Sequence, residues 1–243
     1  MKKIRLFVKE TAIKDNQIIK INENDANYLT KVMRKKIGDE LLIFNGLNGQ
    51  WLAKIIEINK RNCQIQAIEQ NLEQYFPPNI TLAFAPVKNV RIDFIASKAT
   101  ELGVTKFCPI ITARTIVNKI NLERFTANIK EATEQCERID IPQAFEPVKL
   151  NKFLSNLTQN QILILCDESG EGKKASEVLP LIKITPSQEI IIFTGPEGGF
   201  SKEEFEMFEK SNSYKLSLGP RILRADTAII CALTLTQEFL GDF

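Results

Sequence analysis

Ile190-Ile191-Ile192-Phe193-Thr194-Gly195-Pro196-Glu197-Gly198-Gly199-Phe200-Ser201 is the stretch on which the fold turns. Its first four residues are a short apolar run rich in β-branched side chains. Such a run suits a parallel strand buried on both faces. A glycine-rich loop follows, and Ser201 with Glu204 forms a capping box, the signature of a helix start. Strand, loop and helix in that order are one unit of an α/β domain. The same alternation extends to either side. Ile80–Ala85, Phe107–Ile111, Ile162–Cys166 and Lys215–Leu218 read as further strands. Ile92 to Leu102, ended by Gly103, reads as a helix. So do Leu122 to Arg138, with Asn121 as N-cap, and Thr227 to Leu240, with Gly241 after it.

The alternation begins after Tyr75-Phe76-Pro77-Pro78-Asn79, where two prolines stop both helix and sheet ladder. Residues 76–243 are therefore read as an α/β domain with a parallel sheet, and residues 1–75 as a separate one. The first part holds short strands at Arg5–Val8, Ile18–Ile21, Glu40–Asn45, Trp51–Ile58 and Cys63–Ile68. Turns at Gly46–Gly49 and Asn59–Asn62 separate the last three, and a helix is expected from Asp25 to Lys36, introduced by Asn24 and closed by Gly38. That succession is the meander of a small β-barrel.

Composition narrows the chemistry. Among 243 residues there is no histidine, which removes Ser–His–Asp and Cys–His catalysis and every His-ligated metal site. Acid–base work then falls to carboxylates, Lys, Tyr, Cys or the substrate. The five cysteines, Cys63, Cys108, Cys136, Cys166 and Cys231, show no C-x-x-C spacing and read as reduced thiols. The longest apolar run, Ala228 to Leu233, is far too short to cross a bilayer. The basic start Met1-Lys2-Lys3-Ile4-Arg5 has no apolar signal core behind it. A cytoplasmic protein without metal is expected. Residues 1–75 carry thirteen Lys/Arg against nine Asp/Glu, while the remainder is mildly acidic. A basic front on an acidic body suits a polyanion-binding module.

Two loops carry the candidate chemistry, Thr194–Phe200 and Leu218-Gly219-Pro220-Arg221-Ile222-Leu223-Arg224-Ala225-Asp226-Thr227. Each follows a buried strand, and ligands of open α/β sheets bind beyond the carboxyl ends of strands. Neither is a G-x-G-x-x-G dinucleotide cradle. Gly170-Glu171-Gly172-Lys173-Lys174 fails as a Walker loop and reads as a solvated loop.

These loops, with Lys98–Val104 and Glu131–Arg138, together resemble the RsmE family of 16S ribosomal RNA (uracil-N3) methyltransferases, in the SPOUT superfamily. Arg5-Leu6-Phe7-Val8 and Tyr28 to Asp39 are similar to the family's N-terminal part, so the likeness spans nearly the whole chain in order. Two departures stand out. Asn27 occupies a usual histidine position, and Arg224-Ala225-Asp226-Thr227-Ala228 replaces R-T-E-T-A.

The resemblance implies a PUA-like RNA-binding barrel followed by a SPOUT domain with a trefoil knot, a homodimer, and S-adenosylmethionine (SAM) as cofactor. It places Thr194, Gly195, Pro196, Gly199, Leu218, Gly219, Ile222, Leu223 and Ala228 around SAM, with Cys166 at the same rim. The substrate implied is a uridine of small-subunit ribosomal RNA. A catalytically silent RNA-binding or ribosome-assembly factor is the alternative, as is a SPOUT methyltransferase acting on another RNA.

Uracil N3 attacks only once its proton leaves, and the charge then spreads over O2 and O4. A guanidinium suits that anion, and a carboxylate can take the proton. Arg138 is the expected anchor, with Glu197 or Glu134 as acceptor and Arg224 near cofactor or phosphate. The competing structural roles are helix-end pairing for Arg138, an i, i+4 pair for Glu134 and a helix cap for Asp226. Lys31, Arg34, Lys35 and Lys36, joined by Arg5, form the expected RNA patch. Lys88, Arg91, Lys98 and Arg114 are secondary candidates.

Overall fold

The structure, a computed structural model, describes residues 3–59, 63–87, 89–211 and 213–243, with only the main chain at 89–91. Lys88, the Arg91 side chain and most of the turn expected at Asn59–Asn62 therefore lie outside the described residues. The chain forms two compact units, Met1–Phe76 with Thr133–Ile141, and Pro77–Ala132 with Pro142–Phe243.

The first unit contains β1 (Arg5–Phe7), β2 (Ile18–Ile21), α1 (Glu23–Asn27), β3 (Glu40–Phe44), β4 (Gln50–Ile58) and β5 (Cys63–Leu72). The sheet order is β1-β3-β4-β5-β2, with β1 parallel to β3 and the other pairs antiparallel. Period-2 patterning buries Leu41, Ile43, Ala53, Ile55, Ile65 and Ala67 in one cluster with Leu6, Ile19 and Leu29. The helix expected from Asp25 to Lys36 is shorter. α1 is capped not by Asn24 but by Asn22, whose side chain accepts from Asp25 N–H at 3.0 Å. A π turn follows over Tyr28–Val32, and Arg34 then takes φ +53°, which ends helical winding.

Segment 133–141 belongs to this unit through Arg5. Arg5 is 6% exposed, and its guanidinium sits 4.7 Å over the Phe44 ring and donates to the carbonyls of Arg138 (2.7 Å), Thr133 (3.2 Å) and Glu134 (3.3 Å). Carbonyls near a helix end lack intrahelical partners, and a cation satisfies them well. Arg5 thus closes a helix end inside the unit, and its expected place in an exposed RNA patch is corrected on that ground.

The second unit runs β6 (Ile80–Phe84), α2 (Asn89–Glu101), β7 (Lys106–Ile111), α3 (Leu122–Gln135, whose residues from Thr133 on belong to the first unit), β8 (Gln143–Ala144), β9 (Val148–Lys149), α4 (Leu150–Ser155), β10 (Gln161–Cys166), β11 (Lys173–Lys174), α5 (Ala175–Val178), β12 (Glu189–Thr194), α6 (Lys202–Lys210), β13 (Tyr214–Ser217) and α7 (Ala225–Leu240). The sheet order is β11-β13-β10-β12-β6-β7-β8, with β9 also paired to β7 and every described pairing parallel.

Strand residues alternate between two apolar clusters. Ile80, Leu82, Phe84, Ile164, Ile190 and Ile192 face one side, packed with α2, α3 and α7 residues such as Ile95, Phe125 and Leu233. Ala83, Leu163, Leu165, Ile191 and Phe193 face the other, against Leu150 of α4 and Phe208 of α6. Helices on both faces explain why these strands are apolar throughout. Lys173–Lys174, expected in a solvated loop, instead pairs with β13 as an edge strand. α3 stops at Gln135 rather than Arg138 because Glu137 takes φ +66°.

Candidate active site

Neighbours β13, β10 and β12 end side by side, and the loops after them meet at the carboxyl edge of the sheet. Together they line a cavity of about 250 Å³. After β12, Gly199 N–H donates to Pro196 O at 2.9 Å and closes a four-residue turn. Phe200 then turns inward against Phe193, Phe205 and Phe208. The capping box at Ser201 and Glu204 starts α6 as the spacing predicts. After β10, the Asp167 carboxylate accepts from Ser169 N–H (3.0 Å), Ser169 Oγ (3.0 Å) and Gly172 N–H (2.6 Å), folding its loop back on itself.

Of the residues assigned to the cofactor, Cys166, Thr194, Gly195, Pro196, Leu218, Gly219, Ile222, Leu223 and Ala228 all line this cavity. Gly199 stands just behind the wall, with φ +68°, where a β-carbon would meet a Glu168 carboxylate oxygen at 1.7 Å. Arg221 and Ala225, quoted within the 218–227 loop but given no role, also line the cavity, as do Asp167, Glu168 and Ser217, which were missed. Their only signal was adjacency to a strand end.

The cavity is rich in backbone groups, with carboxylates from Asp167, Glu168 and Glu197 and a guanidinium from Arg221. The Thr194 hydroxyl is buried and has no hydrogen-bond partner among the described residues. A buried unsatisfied hydroxyl costs free energy unless a ligand or water completes it. Burial pushes the Cys166 thiol up to about 12, with Cys231 and Asp167 adding to the rise. At neutral pH it is therefore an uncharged wall and not a nucleophile.

The remaining candidates are dispersed. Glu197 lines the cavity with its side chain exposed. Arg224 is the exposed N-cap residue of α7 and is not among the lining residues. Asp226 lies inside the first turn of α7 rather than capping it. Arg138 and Glu134 lie in the first unit. Arg138 is 8% exposed and grips both oxygens of Asp140, at 3.0 and 2.5 Å, while Glu134 accepts from Phe7 N–H at 2.9 Å. Arg138 thus holds a neighbouring carboxylate, and Glu134 holds a strand amide. Lys31, Arg34 and Lys36 are exposed and Lys35 half-buried, on the turn after α1. Lys98 pairs with Glu101 on α2 at 2.8 Å, and Arg114 Nη1 donates to Gly198 O at 2.7 Å.

Comparisons with known proteins meet this geometry. A family model described as an RNA methyltransferase domain matches residues 74–237, and one described as an RNA methyltransferase PUA domain matches residues 21–68. The chain is 32% identical to ribosomal RNA small subunit methyltransferase E of Rickettsia conorii, over 96% of this chain and 94% of that one. Its fold matches a solved ribosomal RNA small subunit methyltransferase E from Neisseria gonorrhoeae bound to S-adenosyl methionine, over the whole of both chains, with TM-score 0.89 and 25% identity. A putative methyltransferase from Legionella pneumophila, solved in complex with SAM, matches over the whole of both chains with TM-score 0.88 and 30% identity.

Proposed function

The chain belongs to the ribosomal RNA small subunit methyltransferase E family, and from that premise we propose that it transfers a methyl group from SAM to N3 of a uridine in 16S ribosomal RNA. The observation that carries this reading is the cavity at the ends of β13, β10 and β12, with its orphaned Thr194 hydroxyl. Its donor set fits SAM. Main-chain N–H and C=O groups of the 194–199 and 218–223 loops suit adenine edges, Thr194 offers one hydroxyl, and the carboxylates of Asp167, Glu168 and Glu197 oppose a cationic ligand. When bound, SAM supplies a methyl group already activated on a sulfonium. The protein's part is then position and charge rather than covalent chemistry. Gly195 brings backbone to the cavity wall, Gly199 makes room for the Glu168 side chain behind it, and Cys166 closes one wall without charge. Glu197, at the mouth, is placed to accept a proton.

The first unit is proposed as the RNA-positioning module, with Lys31, Arg34, Lys35 and Lys36 contacting phosphates. The protein is proposed to work as a homodimer in the cytoplasm. Exposed apolar side chains at Ile222, Phe239 and Phe243 support an interface between copies. No helix among the described residues is long and apolar enough to cross a membrane.

Incubation with SAM and small ribosomal subunits lacking the modification tests the reading, followed by mass mapping of nucleosides. One 3-methyluridine per subunit is expected. Methyl on another base, or on transfer RNA alone, overturns the substrate. Absence of SAM binding in calorimetry points to the silent RNA-binding factor.

A further inference from the structure

A second, shallow cleft lies in the same unit at the ends of β6, β7 and β12. Its walls include Pro86 after β6, Arg114, Ile116 and Val117 after β7, and Pro196 and Glu197 after β12. The last two also line the SAM cavity, so the two hollows adjoin along Pro196 and Glu197. Ile116 is 81% exposed, which leaves an apolar side chain open beside a guanidinium.

This cleft is braced. Glu204 is buried, and its two carboxylate oxygens accept from Ala113 N–H at 2.7 Å and from Ser201 N–H at 2.9 Å. One side chain thus ties the loop that carries Arg114 to the loop that carries Glu197. Arg114 adds a second tie through Nη1 to Gly198 O at 2.7 Å. A guanidinium has five N–H donors, and that bond uses one.

Resting on the function proposed above, we propose that this cleft receives the target uracil, with Arg114 supporting the oxygens that gain charge. Pro86, Ile116 and Val117 offer a flat base an apolar shelf, a mode of recognition suited to an unstacked nucleotide. Glu197 borders both hollows, which puts its carboxylate beside the base rather than in the path from N3 to the methyl group. As the N3–H proton passes to the Glu197 carboxylate and on to solvent, the N3 lone pair forms the new N–C bond. The methyl C–S bond breaks and its electron pair returns to sulfur, which becomes a neutral thioether. The charge that develops on uracil O2 or O4 is met by the remaining Arg114 donors. The role first given to Arg138 thereby falls to a guanidinium beside the cofactor cavity, while Arg138 stays bound to Asp140.

The test compares wild type, Arg114→Ala and Arg114→Lys as full-length proteins, with unmodified small ribosomal subunits and SAM. Arg114→Ala is expected to lower kcat about 100-fold, the loss typical of one oxyanion donor. KM for subunits and calorimetric Kd for SAM should change less than about threefold. Arg114→Lys should recover part of kcat. The pH–rate curve of Arg114→Ala should move to higher pH, where uracil N3 ionises without help. If kcat survives and only KM rises, Arg114 is a phosphate contact and the proposal fails. If Arg114→Ala does not fold, Ile116→Glu at the exposed shelf decides. It should cut methyl transfer while SAM binding persists, and unimpaired transfer overturns the cleft. A wild-type protein that neither binds SAM nor methylates the subunit fails the underlying function instead.

Discussion

At Gly195 a β-carbon would stand 2.8 Å from the Phe200 ring, and at Gly199 one would stand 1.7 Å from a Glu168 oxygen. Both glycines were legible as loop glycines, but their partners were not. Gly199→Ala also forces a side chain into a left-handed conformation at φ +68°. We expect it to weaken SAM binding at least tenfold by calorimetry, and unchanged affinity would show that the wall yields freely. At the opposite edge of the sheet, burial pushes the Glu189 carboxyl up, but hydrogen bonds from Thr81, Gln161 and Lys106 outweigh this and hold it below its usual range. A carboxyl depressed by folding stabilises above its unfolded pKa, and that stability is lost as pH falls through the folded value. Glu189→Gln should therefore be less stable than wild type in urea at pH 7, with the gap closing as pH drops below 4.5, the ordinary glutamate value. Parallel loss of stability in both proteins would remove the assignment.

Among the elements, α6 followed its local code most closely. Ser201→Ala removes a cap worth about 1 kcal/mol. Glu204→Ala removes the reciprocal half of that box and also the part-buried bond from Ala113 N–H, adding roughly 1 kcal/mol. Thermal melts should order the three proteins wild type, Ser201→Ala, Glu204→Ala, and equal melts for the two variants would mean the tie to Ala113 has no energetic weight. α2 shows a partial reading. Gly103 marks its end in the sequence, and it takes φ +85°. The reason no β-carbon fits lies 134 residues later, where Gln237 Nε2 donates to Leu102 O at 2.8 Å and would sit 2.0 Å from that carbon. The run from Asp25 to Lys36 misleads for a related reason. Its apolar spacing is helical, but Thr30 Oγ1 donates to Ala26 O and Met33 N–H reaches back to Tyr28 O, widening the turn before Arg34 ends it.

Across the molecule, charge separates into structural and available groups. Arg5 is buried under carbonyls, while Lys31, Arg34 and Lys36 are exposed. Binding to small-subunit RNA should weaken with salt, and reversing those three charges should flatten the slope by about one unit per lost phosphate contact. Arg5→Met should instead lower the melting temperature and leave that slope unchanged. A flattened slope for Arg5→Met would return it to the RNA surface. The strand–helix alternation, the α6 cap, the glycine loops and the absence of histidine were all readable along the chain, because periodicity and turn chemistry are local. The family likeness named the cofactor from the same residues. Sheet order was not readable, because it depends on which strand edges find each other. Placing β12 between β10 and β6 sets its loop against the Cys166 loop on one side and the Arg114 loop on the other. Arg114 gained its place beside the cavity from that order, and Arg138 became occupied because Asp140 lies within reach of its fork. Contacts between residues far apart in sequence carry no periodic trace, so the folded chain alone assigns them.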